Sequence, residues 1–105
     1  MSDILFRAFS DPTRRRALRL LSRRALCVCD LTTALRLPQP TVSRHLGALQ
    51  RAGLVRVERR GKWRHYALTE RADKIGKGLI ACLASEADTH GDLKRLGDQP
   101  RRTCR

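Results

Sequence analysis

Two prolines, Pro38 and Pro40, interrupt a helical pattern near the middle of the chain, and they constrain its fold more than any other feature. Proline cannot donate to a helical hydrogen bond and restricts the residue before it, so the stretch "RLPQPTVS" predicts a tight turn. A short helix is expected before the turn from about Asp30, whose carboxylate suits a helix cap. A second helix is expected after it, from about Pro40 or Thr41 to Arg51.

The period of the pattern changes after this second helix. Val55 and Val57 alternate with charged residues, the segment "RRGK" turns around Gly61, and Trp63 to Leu68 indicate a returning strand. Two short helices joined by a tight turn and followed by a ribbon are typical of a winged helix-turn-helix. The predicted fold is therefore mainly α, with about five helices and a small two-stranded β-ribbon as the wing.

Flanking helices complete the predicted domain. Residues 2–10 carry an apolar stripe, Asp11 and Pro12 suit the start of the next helix, and Thr69 suits the cap of the last one. The apolar stripe of that last helix consists of Ala72, Ile75, Leu79, Cys82 and Leu83. Residues 1–90 are expected to form one domain, and residues 91–105, rich in charge with two glycines and a proline, a flexible basic tail.

The charge of the chain points to nucleic acid. The sequence has 23 Lys and Arg against 10 Asp and Glu, a formal net charge of +13, and arginine suits both phosphates and base edges. No run of 18 apolar residues and no secretory signal pattern is present, so we expect no membrane partner and a cytoplasmic location. Paired carboxylates, a nucleophile triad and a phosphate loop are also missing from the sequence, which argues against an enzyme.

One face of the helix after the turn is predicted to read DNA. Val42, Leu46 and Leu49 would face the core, while Arg44 on the opposite side suits a bidentate contact to guanine. The predicted DNA-contacting residues of the turn and helix are Gln39, Thr41, Ser43, Arg44, His45 and Arg51. Those of the ribbon tip are Arg59, Arg60, Lys62 and Arg64, suited to phosphates or a minor groove. The aromatic side chains of Trp63 and Tyr66 are expected to pack under the wing rather than to stack on bases.

Several stretches, in the same order along the chain, resemble the ArsR/SmtB family of bacterial winged-helix metalloregulators. They are "LFRAFSDPTRRRALRLL", "LCVCDL", "LPQPTVSRHLGALQRAGLV" and "RRGKWRHYAL", and the resemblance covers about residues 4–84. It implies a homodimer joined by the first and last helices, which binds a palindromic double-stranded operator and represses transcription. It further implies that a metal or metalloid inducer releases the protein from DNA.

The segment "CVCDL" resembles the arsenic-sensing branch of the family. The positions that match the three cysteines of that branch are Cys27, Cys29 and Thr32, so one thiol is missing here. Trivalent arsenic and antimony are soft and form three bonds, and As(III) or Sb(III) is the inducer that the resemblance implies. The third bond would go to Cys104, to Cys82 or to a small exogenous ligand, or the inducer would be a two-coordinate methylated arsenical.

Other interpretations of the cysteines remain open. Cys27 and Cys29 precede a helix N-terminus, which favours thiolates over two buried apolar side chains. A disulfide between them would be strained, which places a thiol-redox switch second. Cd(II), Pb(II) or Zn(II) sensing is a further alternative, although the N-terminal arm holds no cysteine. Asp88 and His90 match only half of a zinc-sensing pattern and are interpreted as a helix end. A constitutive DNA binder with idle cysteines is the last possibility.

Overall fold

The computed structural model describes residues 2–72, 78 and 87–98. Within them lie α1 (Ser2–Ser10), α2 (Pro12–Leu21), β1 (Leu26–Cys27), α3 (Val28–Leu35), α4 (Gln39–Arg51), β2 (Val55–Arg60), β3 (Trp63–Leu68) and α5 (Asp92–Asp98). Residues 70–72 are also helical. The predicted winged helix-turn-helix is confirmed. The greater part of the predicted last helix, with Cys82, and the last residues of the chain, with Cys104, lie outside the described residues.

Capping side chains fix where two of the helices begin, as the sequence predicts. Asp11 accepts hydrogen bonds from the backbone amides of Thr13 (2.8 Å) and Arg14 (3.2 Å) at the start of α2. Thr69 Oγ1 accepts from the backbone amide of Ala72 (3.1 Å) at the start of the helical residues 70–72. Both bonds satisfy amides that a helix terminus leaves without a partner.

The start of α3 differs from the prediction. The helix begins at Val28, and its N-cap is Cys27, whose Sγ accepts a hydrogen bond from the backbone amide of Asp30 at 3.4 Å. Asp30 is therefore in the first turn and is buried rather than capping the helix. The helix ends at Arg36, which adopts a left-handed conformation at φ 56°, and the turn of residues 36–38 leads directly into α4 at Gln39.

The wing belongs to a three-stranded antiparallel sheet rather than to an isolated two-stranded ribbon. β2 and β3 pair from Val55↔Leu68 to Arg60↔Trp63, joined by a two-residue turn in which Gly61 has φ 64°. β1 adds a third strand on the other side of β3, with Cys27 opposite His65. The backbone next to the cysteines is thus hydrogen-bonded to the returning strand of the wing.

Leucines of α2, α3, α4 and the segment before the wing form the core. Fully buried leucines with no exposed surface are Leu18, Leu20, Leu31, Leu46, Leu49 and Leu54. Tyr66 is buried against this cluster, as predicted, while Trp63 is half-buried. Burial of such side chains contributes roughly 1.5–3 kcal/mol each. Packing across α2, α3 and α4 therefore fixes the position of α4 relative to α3.

The expectation of a flexible tail from residue 91 is wrong for residues 92–98. These form α5, which packs against α3 and buries Asp92 (2% exposed) and Leu96 (6% exposed). Arg16 donates from Nε to Asp92 at 2.8 Å, and Arg95 donates from Nε to the carbonyl of Ala34 at 2.7 Å. These bonds hold α5 on the C-terminal end of α3. Among the described helices, none is long and apolar enough to cross a bilayer.

Candidate nucleic-acid interface and thiol site

The exposed face of α4 carries most of the predicted DNA-contacting side chains of that helix. Gln39, Ser43, Arg44 and Arg51 are exposed, and Thr41 is half-buried. The opposite face buries Val42, Leu46 and Leu49 in the core. Because core packing holds the apolar face, the polar face of α4 projects as a rigid surface of the size that enters a major groove.

His45 does not belong to this exposed face. Its side chain is buried, and its Nδ1 accepts a hydrogen bond from Arg14 Nε at 3.3 Å while lying 4.0 Å from a carboxylate oxygen of Asp11. Burial lowers the pKa of His45, with the positive charges of Arg14 and Arg44 acting in the same direction and Asp11 opposing them. A neutral imidazole that accepts from Arg14 fits these contacts. His45 therefore fastens α4 to the start of α2, which corrects its predicted role at the DNA.

The wing presents a concentrated positive charge. Arg59, Arg60, Lys62 and Arg64 are all exposed. Arg59 lies directly opposite Arg64 in the β2–β3 register, and Lys62 Nζ lies 5.7 Å from the centre of the Trp63 ring. Like charges placed opposite each other destabilise a strand pair unless an anion compensates them. This arrangement suits phosphate oxygens, which the wing would meet on a DNA backbone.

The two cysteine sulfurs of "CVCDL" touch each other. Cys27 Sγ lies 2.7 Å from Cys29 Sγ. Cys27 is a free thiol with 1% exposure, whereas Cys29 is half-buried and disulfide-bonded. A carboxylate oxygen of Asp30 joins them, so that three donor atoms lie within 4.8 Å of one another. The sequence predicts Asp30 as a helix cap and not as a neighbour of the two cysteines, although its i+3 spacing from Cys27 is a signal for such a contact.

The pKa of Cys27 is not lowered, as its position at a helix N-terminus would predict, but raised. Burial raises the pKa of the Cys27 thiol, and the Asp30 carboxylate raises it further by hydrogen bond and by charge. Backbone amides of Asp30 and Cys29 act in the opposite direction but do not outweigh these effects. The expectation that the helix N-terminus stabilises a thiolate at Cys27 is therefore wrong, and the resting side chain is a thiol.

Thr32 does not take the place of a third thiol in this geometry. Its Oγ1 donates a hydrogen bond to the carbonyl oxygen of Cys29 at 2.9 Å, so the hydroxyl is directed to the backbone of its own helix. Thr33 makes the same kind of bond at 3.0 Å. Hydroxyl-to-carbonyl bonds of this spacing are usual for threonine within helices. Among the described residues, the site has two cysteine sulfurs and one carboxylate.

Comparison with known proteins identifies the family of the chain. Residues 11–57 match the model of the arsR family of bacterial regulatory proteins. The arsenical resistance operon repressor of Staphylococcus xylosus is 39% identical over 80 residues, which cover 75% of this chain and 76% of that protein. The chain belongs to the ArsR family. Its members and relatives are DNA-binding transcriptional regulators rather than enzymes, so this ArsR-family chain is a transcriptional repressor.

A second relative and a solved structure extend the comparison. The arsenic resistance transcriptional regulator ArsR1 of Pseudomonas putida is 47% identical over 82 residues, which cover 73% of this chain and 64% of that protein. The homodimeric winged helix-turn-helix DNA-binding domain of Mb0332 from Mycobacterium bovis, described as a possible ArsR-family regulator, superposes with a TM-score of 0.69 at 28% identity. The superposition covers 85% of this chain and 80% of that one.

Asp88 of this ArsR-family chain caps α5. Its two carboxylate oxygens accept hydrogen bonds from the backbone amides of Leu93 (3.1 Å) and Lys94 (3.0 Å). These bonds lower the pKa of Asp88 against the effect of burial. His90 is exposed and its backbone carbonyl accepts from Arg95. Asp88 and His90 thus lie at the start of α5, whereas the sequence predicts a helix end at these positions.

Proposed function

We propose that the protein is a homodimeric repressor that binds operator DNA and is released from it when As(III) or Sb(III) binds Cys27 and Cys29. The observation that carries this proposal is the contact between the sulfur atoms of Cys27 and Cys29 at the N-terminus of α3. α3 is separated from the DNA-facing helix α4 by only residues 36–38. Arsenical resistance regulators among the relatives support the same inducer.

The proposed DNA contacts divide between α4 and the wing. Arg44 would contact a guanine edge in the major groove, with Thr41, Ser43 and Gln39 near the helix N-terminus. The exposed cations of the wing would neutralise phosphates, and Arg51 would do so at the far end of α4. Operator affinity is then expected to fall steeply with salt, because each neutralised phosphate releases counterions.

The proposed homodimer would form partly through α1. Ile4 and Phe6 are the large apolar side chains that stay exposed among the described residues, at 48% and 68%. Exposed apolar side chains of this size on one short helix are typical of an interface. The described homodimeric state of the Mb0332 domain supports the same assembly here.

Binding of the metalloid is proposed as stepwise exchange of thiols for hydroxyl groups on As(OH)₃. Each thiol forms one arsenic–sulfur bond, its proton leaves with a hydroxide as water, and no oxidation or reduction takes place. Cys29, which is half-buried, would react first, after an external thiol has reduced its disulfide, and buried Cys27 would react second. The second step requires Cys27 to leave its position as the N-cap of α3, where its sulfur accepts from the Asp30 amide. Inducer binding would therefore loosen the start of α3.

Cys104 is the proposed third thiol. α5 ends at Asp98, and the six residues from there to Cys104 span at most about 20 Å when extended. α3, on whose C-terminal end α5 packs, has eight residues and a length of about 12 Å. The tail is thus long enough to reach the N-terminus of α3 in the same chain. Thr32, with its hydroxyl on the Cys29 carbonyl, leaves this third position to another donor.

Displacement of the α3 N-terminus is the proposed route to DNA release. α3 and α4 pack through buried leucines, so a shift of α3 moves Arg44 relative to the second half-site of the operator. Coupling of about 1–3 kcal/mol between the two sites would be typical.

A second candidate function is a repressor that responds to Zn(II), Cd(II) or Pb(II). The carboxylate of Asp30 beside the two thiols favours it, because an oxygen donor suits these divalent ions better than trivalent arsenic. A thiol-redox response of the same fold is also compatible with two touching cysteine sulfurs, of which that of Cys29 is disulfide-bonded.

The experiment is a titration of the wild-type protein and of Cys104→Ser and Cys82→Ser with As(III), Sb(III), Cd(II) and Zn(II), followed by operator binding. We expect release by As(III) and Sb(III), weakened in Cys104→Ser and unchanged in Cys82→Ser. Release by Cd(II) or Zn(II) alone would replace the metalloid with the divalent-ion response. Release by peroxide alone would assign a redox response.

A further inference from the structure

A row of three side chains crosses the sheet from the thiol site to the wing. His65 of β3 is paired on one side with Cys27 of β1 and on the other with Glu58 of β2. Residues directly opposite each other in an antiparallel sheet lie on the same face, with their Cβ atoms about 4.5–5.5 Å apart. Cys27, His65 and Glu58 are therefore consecutive neighbours on one face of the sheet.

The middle member of the row is a buried histidine with an unsatisfied atom. His65 is 7% exposed, and its Nδ1 is buried without a hydrogen-bond partner. A buried polar atom without a partner costs free energy that an apolar side chain of similar size would not. Neither the core nor the predicted DNA contacts account for an imidazole at this position.

Glu58, the outer member of the row, lies close to two arginines of the wing. Glu58 lies 2.7 Å from Arg56 Nη1 and 3.9 Å from Arg60 Nη2. Both guanidinium groups are more than half exposed, and Arg60 adjoins the turn at the wing tip. Glu58 is therefore the carboxylate partner that these two exposed cations share.

We infer that His65 is a positioning residue that couples the thiol site to the wing through the row Cys27–His65–Glu58. When Cys27 moves to bind an inducer, β1 moves with it, and His65 on the adjacent strand adjusts its contacts. Glu58 then changes its hold on Arg56 and Arg60. This route reaches the DNA surface through the sheet and is separate from the route through α3 and α4. Its effect on DNA release rests on the proposed function, whereas the coupling of the thiols to the wing does not.

The sole tryptophan of the chain makes this coupling measurable without DNA. Trp63 lies in β3, two residues from His65 and opposite Arg60. The probe is phenylarsine oxide, which bridges neighbouring thiols whichever ion the protein senses in the cell. In a Cys82→Ser, Cys104→Ser background, it can bridge only Cys27 and Cys29. We expect the bridged adduct, verified by mass, to change the emission spectrum and anisotropy of Trp63.

Two variants and two matched controls test the row. His65→Gln and Glu58→Gln are expected to form the same adduct but to lose most of the Trp63 response. His90→Gln removes an exposed imidazole and Glu70→Gln an exposed carboxylate, both outside the sheet, and are expected to respond like the parent. An undiminished Trp63 response in Glu58→Gln and in a folded His65→Gln would overturn the coupling. A parent protein whose Trp63 emission and anisotropy do not change when the bridge forms would overturn it as well.

Operator binding separates this inference from the proposed function. An arsenite-dependent loss of operator affinity of about tenfold, within the usual range of coupling between sites, is expected in the parent and about twofold in His65→Gln. If arsenite leaves the operator affinity of the parent unchanged while the bridge still alters Trp63, the proposed function fails and the coupling stands. If arsenite releases operator equally from the parent and from His65→Gln, and the bridge also alters Trp63 equally in both, the coupling fails and the proposed function stands.

Discussion

Arg44 and His45 are neighbours in α4, but the fold gives them opposite environments. Arg44 is exposed on the face that would meet DNA, while His45 is buried and accepts a hydrogen bond from Arg14. Helical periodicity alone places His45 at the flank of the polar face, where either environment is compatible with the sequence. The deciding contact comes from Arg14, 31 positions earlier, which no local pattern reveals.

These environments predict different losses on substitution. Arg44→Ala is expected to weaken specific operator binding by about 1–3 kcal/mol, the value of a bidentate base contact, with an unchanged melting temperature. His45→Ala is expected to cost about 1–3 kcal/mol of unfolding free energy, because it leaves Arg14 Nε without its acceptor. Operator titration and thermal denaturation of both variants check this. A destabilised Arg44→Ala, or a His45→Ala with native stability and lost base specificity, would reverse the assignment.

The protonation of Cys27 predicts a pH dependence of stability. Burial raises the pKa of this thiol, so as pH rises the unfolded chain loses the proton before the folded chain does. The contribution of Cys27 to stability is therefore fully present below the ordinary thiol pKa of 9.0 and decreases as pH rises through its folded pKa. Urea unfolding between neutral and alkaline pH should show a steeper loss for the wild type than for Cys27→Ala. Equal slopes in the two proteins would contradict a raised pKa.

At the scale of elements, the sequence predicts best where a local rule acts alone. Asp11 with Pro12 and Thr69 mark helix starts correctly, since capping depends on residues a few positions apart. β1 is not predicted, because a strand of two residues shows no alternation of apolar and polar side chains. Its pairing with β3 also joins positions that lie far apart in the sequence. Cys27 is not predicted as the N-cap because cysteine is not among the usual capping residues. The expected start of α3 is therefore shifted to Asp30.

α5 shows more clearly that local sequence rules fail where distant residues decide the structure. Its composition resembles a mobile tail, with glycine and many charges, and its order depends on distant partners. Asp92 is 2% exposed and accepts two hydrogen bonds from Arg16, 76 positions earlier, both at 2.8 Å. Charge content in a short segment does not predict such pairing, because the pairing is decided by the packing of α2 and α3 beneath it.

The ion pair of Asp92 predicts the stability of this element. Asp92→Asn is expected to lower the free energy of unfolding by about 3 kcal/mol, because it leaves the largely buried Arg16 guanidinium without its counter-charge. Lys94→Ala, on the exposed side of α5, is expected to change it by less than about 0.5 kcal/mol. Urea denaturation of both variants provides the measurement. Equal stability of Asp92→Asn and wild type would mean that α5 contributes nothing to the folded domain.

At the scale of the whole molecule, charge and exposed apolar surface predict the kinds of partner but not their identity. A net charge of +13 indicates nucleic acid from composition alone. The assignment as a repressor rests on the family match. The proposed homodimer and inducer rest on the sequence resemblance and on the relatives. Neither the operator sequence nor the inducer can be deduced from helical periodicity, because both depend on atoms outside the chain.

The proposed dimer predicts the effect of a charge on α1. Phe6→Glu is expected to convert the protein to monomers, since Phe6 is 68% exposed and would be covered by the second copy. Arg7→Glu introduces the same side chain at the adjacent exposed position and is expected to stay dimeric. Sedimentation equilibrium of the two variants distinguishes them. A Phe6→Glu protein with unchanged mass would move the interface away from α1.

The most direct measurement of the central claim is the fluorescence anisotropy of a labelled operator duplex bound by the protein and titrated with arsenite. The wild type is expected to release the duplex and to bind it again when an excess of a competing dithiol removes the arsenite. Cys27→Ser and Cys29→Ser are expected to bind the duplex with wild-type affinity and to retain it throughout the titration. Arsenite-dependent release that persists in both variants would contradict sensing by this pair of thiols.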